Sequence, residues 1–492
     1  MPVERSYFED QPLRIGCERQ LFVDDYMVED RWKLTRVLHQ PEKFLKNPVL
    51  LRDKPWEGDV AYRPWVIWDE EYGRFRMWYQ CFSFSNYYGA GGPPYHVCYA
   101  ESDDGFSWEK PLLDVCAYPG FEKTNVVYCG THYNRVQGVQ VFRDADDLDE
   151  ERRYKMICVE RRPRNGALTS SVNLVCSPDG LSWKQVGEDC ILDYHSDCFN
   201  HVVRDPQNGR WLLYCRPIHM SATGRRTPEG QVGGRHTRRR VAVMSSEDMV
   251  HWSYPRTCMY PDERDMPDYD SVGAFRYADQ FLMFYAAMEG EETGTNEVRL
   301  ASSRDGLFWE RFHTREPFLP RGREGDWDAG QVIADAEPVR QGEDLLIYYS
   351  GFTAPQYETN RNGGIGLAVM KLDQFVEQRA GDRPGFLLTR EFVLEGNQLC
   401  LNTVMPGMNY REQGIRVEVA RRPELGKHAA NFVQAYEGFS LEECDPIRGT
   451  RTENPVKWNG NGDLSELVGR PVYLRFEIRN MGLFSFKVSD PM

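Results

Sequence analysis

Five stretches of this 492-residue chain place acidic and cationic side chains where paired carboxyl chemistry could operate. They are "GDVAYRP", with Asp59, Tyr62 and Arg63; "YNR", with Asn134 and Arg135; "HSDCFNH", with His195, Asp197 and His201; "PDYDS", with Asp268 and Asp270; and "GDWDAG", with Asp326, Trp327 and Asp328. Four of the five carry Asp. Two carboxyl groups on either side of a labile bond divide the work, one protonated as acid and one ionised as base or nucleophile. Crowded negative charge and partial burial drive their pKa values apart and so assign the roles. Any one of these segments reads equally as a solvated acidic loop; four at matching positions point to one shared place. Glu337 is a rival acid. It lies a few residues before a turn, which places it toward the opposite end of its strand unless that strand is bulged.

Other chemistries find less support. The ten histidines are too dispersed in the chain to define a zinc site, and no metal is expected. Calcium would suit an acidic funnel but is not signalled. There is no Walker loop, dinucleotide fingerprint or Gly-x-Ser-x-Gly elbow. Thirteen cysteines, an odd number without any Cys-x-x-Cys pair, read as reduced and mostly buried thiols. The formal charge of −15 argues against a nucleic-acid partner, and Arg238, Arg239 and Arg240 read as a solvated loop or strand start. The N-terminal "MPVERSYFEDQPLRIG" has no signal-peptide core, and no run of 18 apolar residues occurs, so a soluble cytoplasmic protein without membrane contact is expected.

The elements that must position these residues emerge from an internal repeat. "SDDGFSW" (102–108), "SPDGLSW" (177–183), "SEDMVHW" (246–252) and "SRDGLFW" (303–309) share Ser six residues before Trp, with Asp between. The Asp-Gly pair suits a tight turn. Alternating apolar residues precede each copy, as in "YHVCYAES" and "RVAVMSS". Upstream of each stands a pair of strands around a polar turn, as in "WVIWDEEYGRFRMWYQ" (65–80) and "EPVRQGEDLLIYYSG" (337–351). Five such pairs are present, and "IGLAVMKLDQF" (365–375) reads as a fifth, decayed hairpin. The unit is thus four strands, repeated five times over residues 45–390.

Four-stranded sheets repeated radially make a β-propeller. Trp-to-Trp intervals of 75, 69 and 57 residues suit blades with variable loops better than a solenoid. Residues 1–44 precede the first blade, and 19–40 should pack on the propeller or help to close it. After Arg390 the repeat stops. Residues 391–492 alternate apolar and polar positions between turns and read as an antiparallel β-sandwich, with one helical turn at 462–469.

The triplet Arg204-Asp205-Pro206 is a catalytic signature in fructoside-cleaving enzymes. Here it aligns with "WDEEYG" (68–73) and "RYADQ" (276–280), the turns after other inner strands. A strand advances roughly 3.3 Å per residue, so Asp205 stands well away from the strand's start. It reads as a turn residue completed by Pro206 and Asn208-Gly209.

Five blades, carboxylates at inner strands and a C-terminal sandwich resemble glycoside hydrolase families 32, 43 and 68, with the related phosphorylase family 130. The first-blade "NDPNG" of the fructosidases is absent, "FVDDY" (22–26) being a loose echo, and "EEC" (442–444) lies in the sandwich. The resemblance implies a funnel at the starts of the inner strands, where the catalytic carboxylates of those enzymes sit. By that analogy Asp59 is the base or nucleophile, and Asp197 and Asp328 are transition-state stabiliser and acid in either order. Arg63, Arg135, His201, Asp268, Asp270 and Trp327 would bind substrate. Arg63 reads otherwise as an ion pair holding a strand end, His201 as a core imidazole and Trp327 as packing.

The expected activity is hydrolysis of a short oligosaccharide or glycoside in the funnel, without a cofactor. Phosphorolysis, with a phosphate pocket drawn from Arg63, Arg135 and His201, is the alternative enzyme. A glycan-binding propeller without catalysis is the alternative outside enzymes, since the fold hosts many functions.

Overall fold

The computed structural model describes residues 12–490 apart from 88, 90–91, 131–135, 165–166, 188–189, 195, 198, 219–238, 291–292, 359–360, 408–411 and 424–431. Asn134, Arg135, His195 and Arg238 therefore lie outside the described residues. What is described is almost wholly β-structure; among these residues Phe84–Tyr87 is the one α-helix. No helix is long and apolar enough to cross a membrane.

The chain forms two compact units. One comprises Gln40–Arg276 and Gln280–Met370; the other comprises Met1–His39, Tyr277–Asp279 and Lys371–Met492. In the first unit, strands join their neighbours in chain order. The first sheet runs Val60–Asp69, Arg74–Phe82, Tyr95–Ser102 and Val126–Tyr128; the second Gln137–Arg143, Tyr154–Arg164, Ala167–Ser177 and Lys184–Gln185. The third runs His201–Asp205, Arg210–Cys215, Val241–Ser246 and Arg256–Met259; the fourth runs Asp268–Tyr277, Gln280–Met288, Asn296–Ser303 and Glu310–Arg311, and the parallel pair Asn296–Gln331 joins it to the fifth in one nine-stranded sheet. In the fifth, Gln331–Ile333 and Val339–Gln341 both pair with Asp344–Phe352, followed by Gly363–Lys371. Its outer strand is Glu42–Lys43, paired with Val369 and Ala368. The expected decayed hairpin at 365–375 therefore takes its last strand from the other end of the sequence.

Each repeat turn has the same wiring. The Ser hydroxyl accepts the N–H three residues on, and Asp accepts the next two N–H groups. Ser102 Oγ accepts from Gly105 at 2.9 Å, and Asp104 Oδ1 from Phe106 and Ser107 at 2.7 Å. Ser177/Asp179, Ser246/Asp248 and Ser303/Asp305 repeat this. The residue after Asp is left-handed, φ +79° at Gly105 and +62° at Met249, which explains the recurrent glycine. The turn carbonyls are then bonded by a neighbouring sheet: Gly180 by Trp78 Nε1 at 2.7 Å, Gly306 by Tyr214 Oη at 2.7 Å, and Gly105 by Tyr348 Oη of the fifth sheet at 2.7 Å. Apolar clusters fill the spaces between successive sheets, one of them uniting Met77, Tyr79, Leu346 and Leu367 of the first and fifth. Both faces of these sheets are buried, so their strands are rich in aromatic residues.

The second unit holds two antiparallel sheets whose facing residues, among them Leu401, Phe486, Val417 and Phe476, form one apolar cluster. Three segments preceding residue 40 belong to it: Gln20 pairs with Phe486, Arg31 with Leu387 and Val37 with Glu377. The compact units thus group 19–39 and 371–390 with the C-terminal strands. The expected helical turn is the 3₁₀ turn Ser465–Leu467.

Candidate functional site

The inner strands of the first, fourth and fifth sheets bring Arg63, Ser271 and Asp335 together. Each stands six residues before the last residue of its strand or strand pair, Asp69, Tyr277 and Gln341. Arg63 lies at a register shift between Tyr62 and Trp65 and adopts φ +52°, an uncommon state for a long side chain. Its N–H donates to Ser350 Oγ at 2.7 Å, and its guanidinium donates to Ser271 Oγ at 3.0 Å and pairs with the Asp335 carboxylate. Gly273 lies so close to the Asp335 backbone that a Cβ would meet it at 2.6 Å, which brings the fourth and fifth inner strands into direct contact.

Asp335 is buried, and one carboxylate oxygen, Oδ1, has no hydrogen-bond partner among the described residues. Burial raises its pKa against the opposing charge of Arg63. His201 is also buried. Burial, helped by the Arg63 charge, holds it well below the ordinary histidine range, so the imidazole is neutral. Its ring meets Trp65 edge-on at 4.8 Å, and Nδ1 has no partner among the described residues. It is a core imidazole, but one with an unused polar atom.

A second charged group adjoins the first. Arg216, fully buried, donates to the Tyr269 and Asp270 carbonyls at 2.6 Å and lies over the Phe199 ring at 4.6 Å. Its Nη2 stands 3.7 Å from Asp197 Oδ2 and 4.0 Å from Asp270 Oδ1. The two carboxylate oxygens are therefore no further apart than those distances laid end to end. Arg239 approaches Asp270 at 3.3 Å and Asp268 at 3.9 Å, and its backbone N–H donates to Asp268 at 2.8 Å. Burial opposes the Arg239 charge, but Asp270 and Tyr357 outweigh it and raise its pKa. Arg361 experiences the reverse: burial lowers it, although Tyr62 and Asp270 favour the charge. The Asp197 side chain is 33% exposed against 4% for Asp270, making it the open carboxylate of this group. Asp197 also sits at φ +53°.

Other expected residues are engaged elsewhere. Asp59 Oδ2 accepts the Phe84 N–H at 2.7 Å, where Phe84–Tyr87 begins. Asp328 is buried and accepts from Lys43 Nζ at 2.6 Å and Tyr349 Oη at 3.1 Å, anchoring the outer strand of the fifth sheet. Neither is brought into hydrogen-bond or ion-pair contact with the Arg63–Arg216 group. Trp327 packs 5.7 Å from Tyr349, in space that Gly351 and Gly366 leave open. That is the contact the packing alternative calls for. Asp326 is exposed and accepts the Arg323 N–H. Glu337 lies in the break between Ile333 and Val339. It is solvent-exposed yet surrounded by protein, as befits a side chain lining a concavity, and that surrounding protein raises its pKa. Asp205 is a turn residue as read: buried, it accepts from Asn208 Nδ2 at 2.9 Å and Arg210 Nε at 2.8 Å.

Sequence reasoning missed Asp335, Arg216, Arg239 as an ion-pair partner, Arg361 and Ser271. Equal spacing from the strand's end would have found Ser271 and Asp335 beside Arg63. Arg216 carried no such signal, since it follows a second strand rather than an inner one.

No family model matches the chain. An uncharacterized protein of Mycobacterium tuberculosis (strain ATCC 25618 / H37Rv) is 28% identical over 182 residues, 35% of this chain and 52% of that protein. The chain spans about half the length of the curated relatives it matches. Similar solved structures include a glycosyl hydrolase from Bacteroides ovatus, 13% identical with TM-score 0.46 over 68% of this chain and 94% of that one. They also include a beta-1,2-mannobiose phosphorylase from Listeria innocua, 13% identical with TM-score 0.43 over 68% and 97%. A GH32 beta-fructofuranosidase from Bombyx mori is 9% identical with TM-score 0.41 over 91% and 95%.

Proposed function

We propose that this chain is a carbohydrate-active enzyme: a five-bladed β-propeller that cleaves a short glycoside by carboxylate acid/base chemistry, joined to a β-sandwich. One observation carries this reading: Asp197 and Asp270 both reach the same nitrogen of Arg216. Their oxygens are at most 7.7 Å apart, inside the upper limit of about 9.5 Å for two carboxyl groups flanking a glycosidic bond. Asp197 keeps the role expected for it, and Asp270 takes the place of Asp59 and Asp328. Asp270 is oriented by Arg216 and Arg239 as base or nucleophile; the open Asp197 faces the leaving group as acid. Arg63, His201 and the spare oxygen of Asp335 offer contacts to sugar hydroxyls. Unpartnered buried polar atoms cost free energy, and a bound hydroxyl would remove that cost.

The cluster of Arg216, Arg239 and Arg361 around Asp270 also favours a second reading, in which phosphate replaces water as the attacking group. The test is a panel of aryl glycosides and oligosaccharides, with and without phosphate, against wild type, Asp197→Asn and Asp270→Asn. Cleavage by wild type should fall about 10²–10⁴-fold in either variant. Strict phosphate dependence selects phosphorolysis. Binding of a glycan with no turnover would overturn the enzyme reading in favour of a lectin-like propeller.

A further inference from the structure

The first sheet holds a group of soft ligand atoms apart from the carboxylate site. Pairing sets Cys81 directly opposite His96, and Tyr79 opposite Cys98. Alternation then turns Cys81, His96 and Cys98 to one face of the two strands. All three are fully buried. One ligand atom from each lies within 4.8 Å of the others.

The two sulfurs are 3.5 Å apart. A disulfide bond needs about 2.05 Å. Four ligands placed about 2.3 Å from a tetrahedral zinc ion are separated by about 3.8 Å. The observed spacing is that of a thiol–thiol hydrogen bond and lies near the second geometry. Neither ring nitrogen of His96 has a hydrogen-bond partner among the described residues. Such an orphaned imidazole is uncommon in a protein interior. The Trp56 backbone lies beside the ring without a hydrogen bond of acceptable geometry. Cys129, buried just after Val126–Tyr128, stands outside this group and pairs with Cys116.

We propose that Cys81, His96 and Cys98 bind a zinc-class divalent ion as a structural centre of the first sheet. The thiols lose their protons on binding, so affinity falls as pH is lowered. Strand pairing assembles the group from residues that share no recognisable metal spacing in the chain. The inference is independent of the catalytic reading.

The test uses the full chain, loaded with zinc and dialysed, with metal measured by plasma mass spectrometry. About one zinc per chain should remain and be released by a mercurial thiol reagent. Cobalt(II) in its place should give a sulfur-to-metal charge-transfer band in the near ultraviolet and strong tetrahedral visible bands. Cys98→Ser and His96→Gln should each weaken retention at least ~10-fold, whereas Cys17→Ser, an exposed thiol, should leave it unchanged. Should those core variants fail to fold, wild-type stoichiometry and the cobalt spectrum decide the matter alone. Zinc-loaded wild type that retains no metal, a cobalt spectrum without a sulfur band, or a Cys81–Cys98 disulfide found by peptide mapping would each overturn the proposal.

Discussion

Aspartate serves the repeat turns and the strand-start cluster in opposite ways. In the turns, each Asp finds its partners within three residues, in backbone N–H groups that follow it. Burial opposes the charge of Asp104 and Asp179, but those N–H bonds outweigh it and lower both pKa values. In the cluster, Asp335 is held by Arg63, 272 residues away in the chain, and keeps an oxygen without a partner. Burial there prevails, and the pKa is raised. A satisfied carboxylate stabilises structure; one left with spare capacity is available to a ligand.

The sharpest way to break this comparison is to remove one carboxylate from each region. Asp270→Asn should cost roughly 10²-fold or more in turnover with the circular dichroism spectrum intact. Asp179→Asn should leave turnover within about twofold, since surface substitutions away from the site perturb little. Equal losses in the two variants would erase the distinction.

A stability effect comes next. Asp328→Ala should destabilise by roughly 3 kcal/mol, because it strands the Lys43 ammonium and frees the outer strand of the fifth sheet. Urea unfolding with activity measured on the folded fraction checks this. A variant that is stable but inactive would restore Asp328 to a catalytic role.

The pH dependence of melting should separate the regions by sign. Asp335 has a raised folded pKa. Its stabilising contribution is present below the ordinary aspartate value of about 3.9 and is lost as pH rises through the folded value. Asp104 and Asp179 have lowered folded pKa values. Their contribution is present above that ordinary value and is lost as pH falls through the folded one. Scanning calorimetry from roughly pH 3 to 7 should therefore show Asp335→Asn altering the neutral side of the profile and Asp179→Asn the acid side. Offsets that do not vary with pH in either variant would contradict it.

A smaller effect is expected of Asp179→Ala, about 1 kcal/mol, the usual worth of such a local cap. Met249→Gly, at φ +62°, should gain a few tenths of that size or nothing, as left-handed strain is relieved and side-chain packing is lost. Chemical denaturation of both variants reports the values.

The repeat was legible because its contacts are local. Ser six residues before Trp, with Asp between, is a closed hydrogen-bond circuit written in seven residues. The same locality let Asp205 be read as a turn residue, since Asn208 and Arg210 stand beside it in the chain. The cluster was only half legible. Asp197, Asp270, Arg63 and His201 were visible as candidates, but Asp59 and Asp328 were equally plausible by residue type.

The amino-acid sequence by itself determined the strands, the turns between them and the alternation that buries both faces of each sheet, because period and turn chemistry act over a few residues. Only the tertiary structure decided which carboxylates meet. Arg63 chooses Asp335 over Asp59, and Asp328 is claimed by Lys43, through approaches between strands hundreds of residues apart. Such pairings depend on register and on glycine-permitted contact, as at Gly273, which act between strands far apart in the chain.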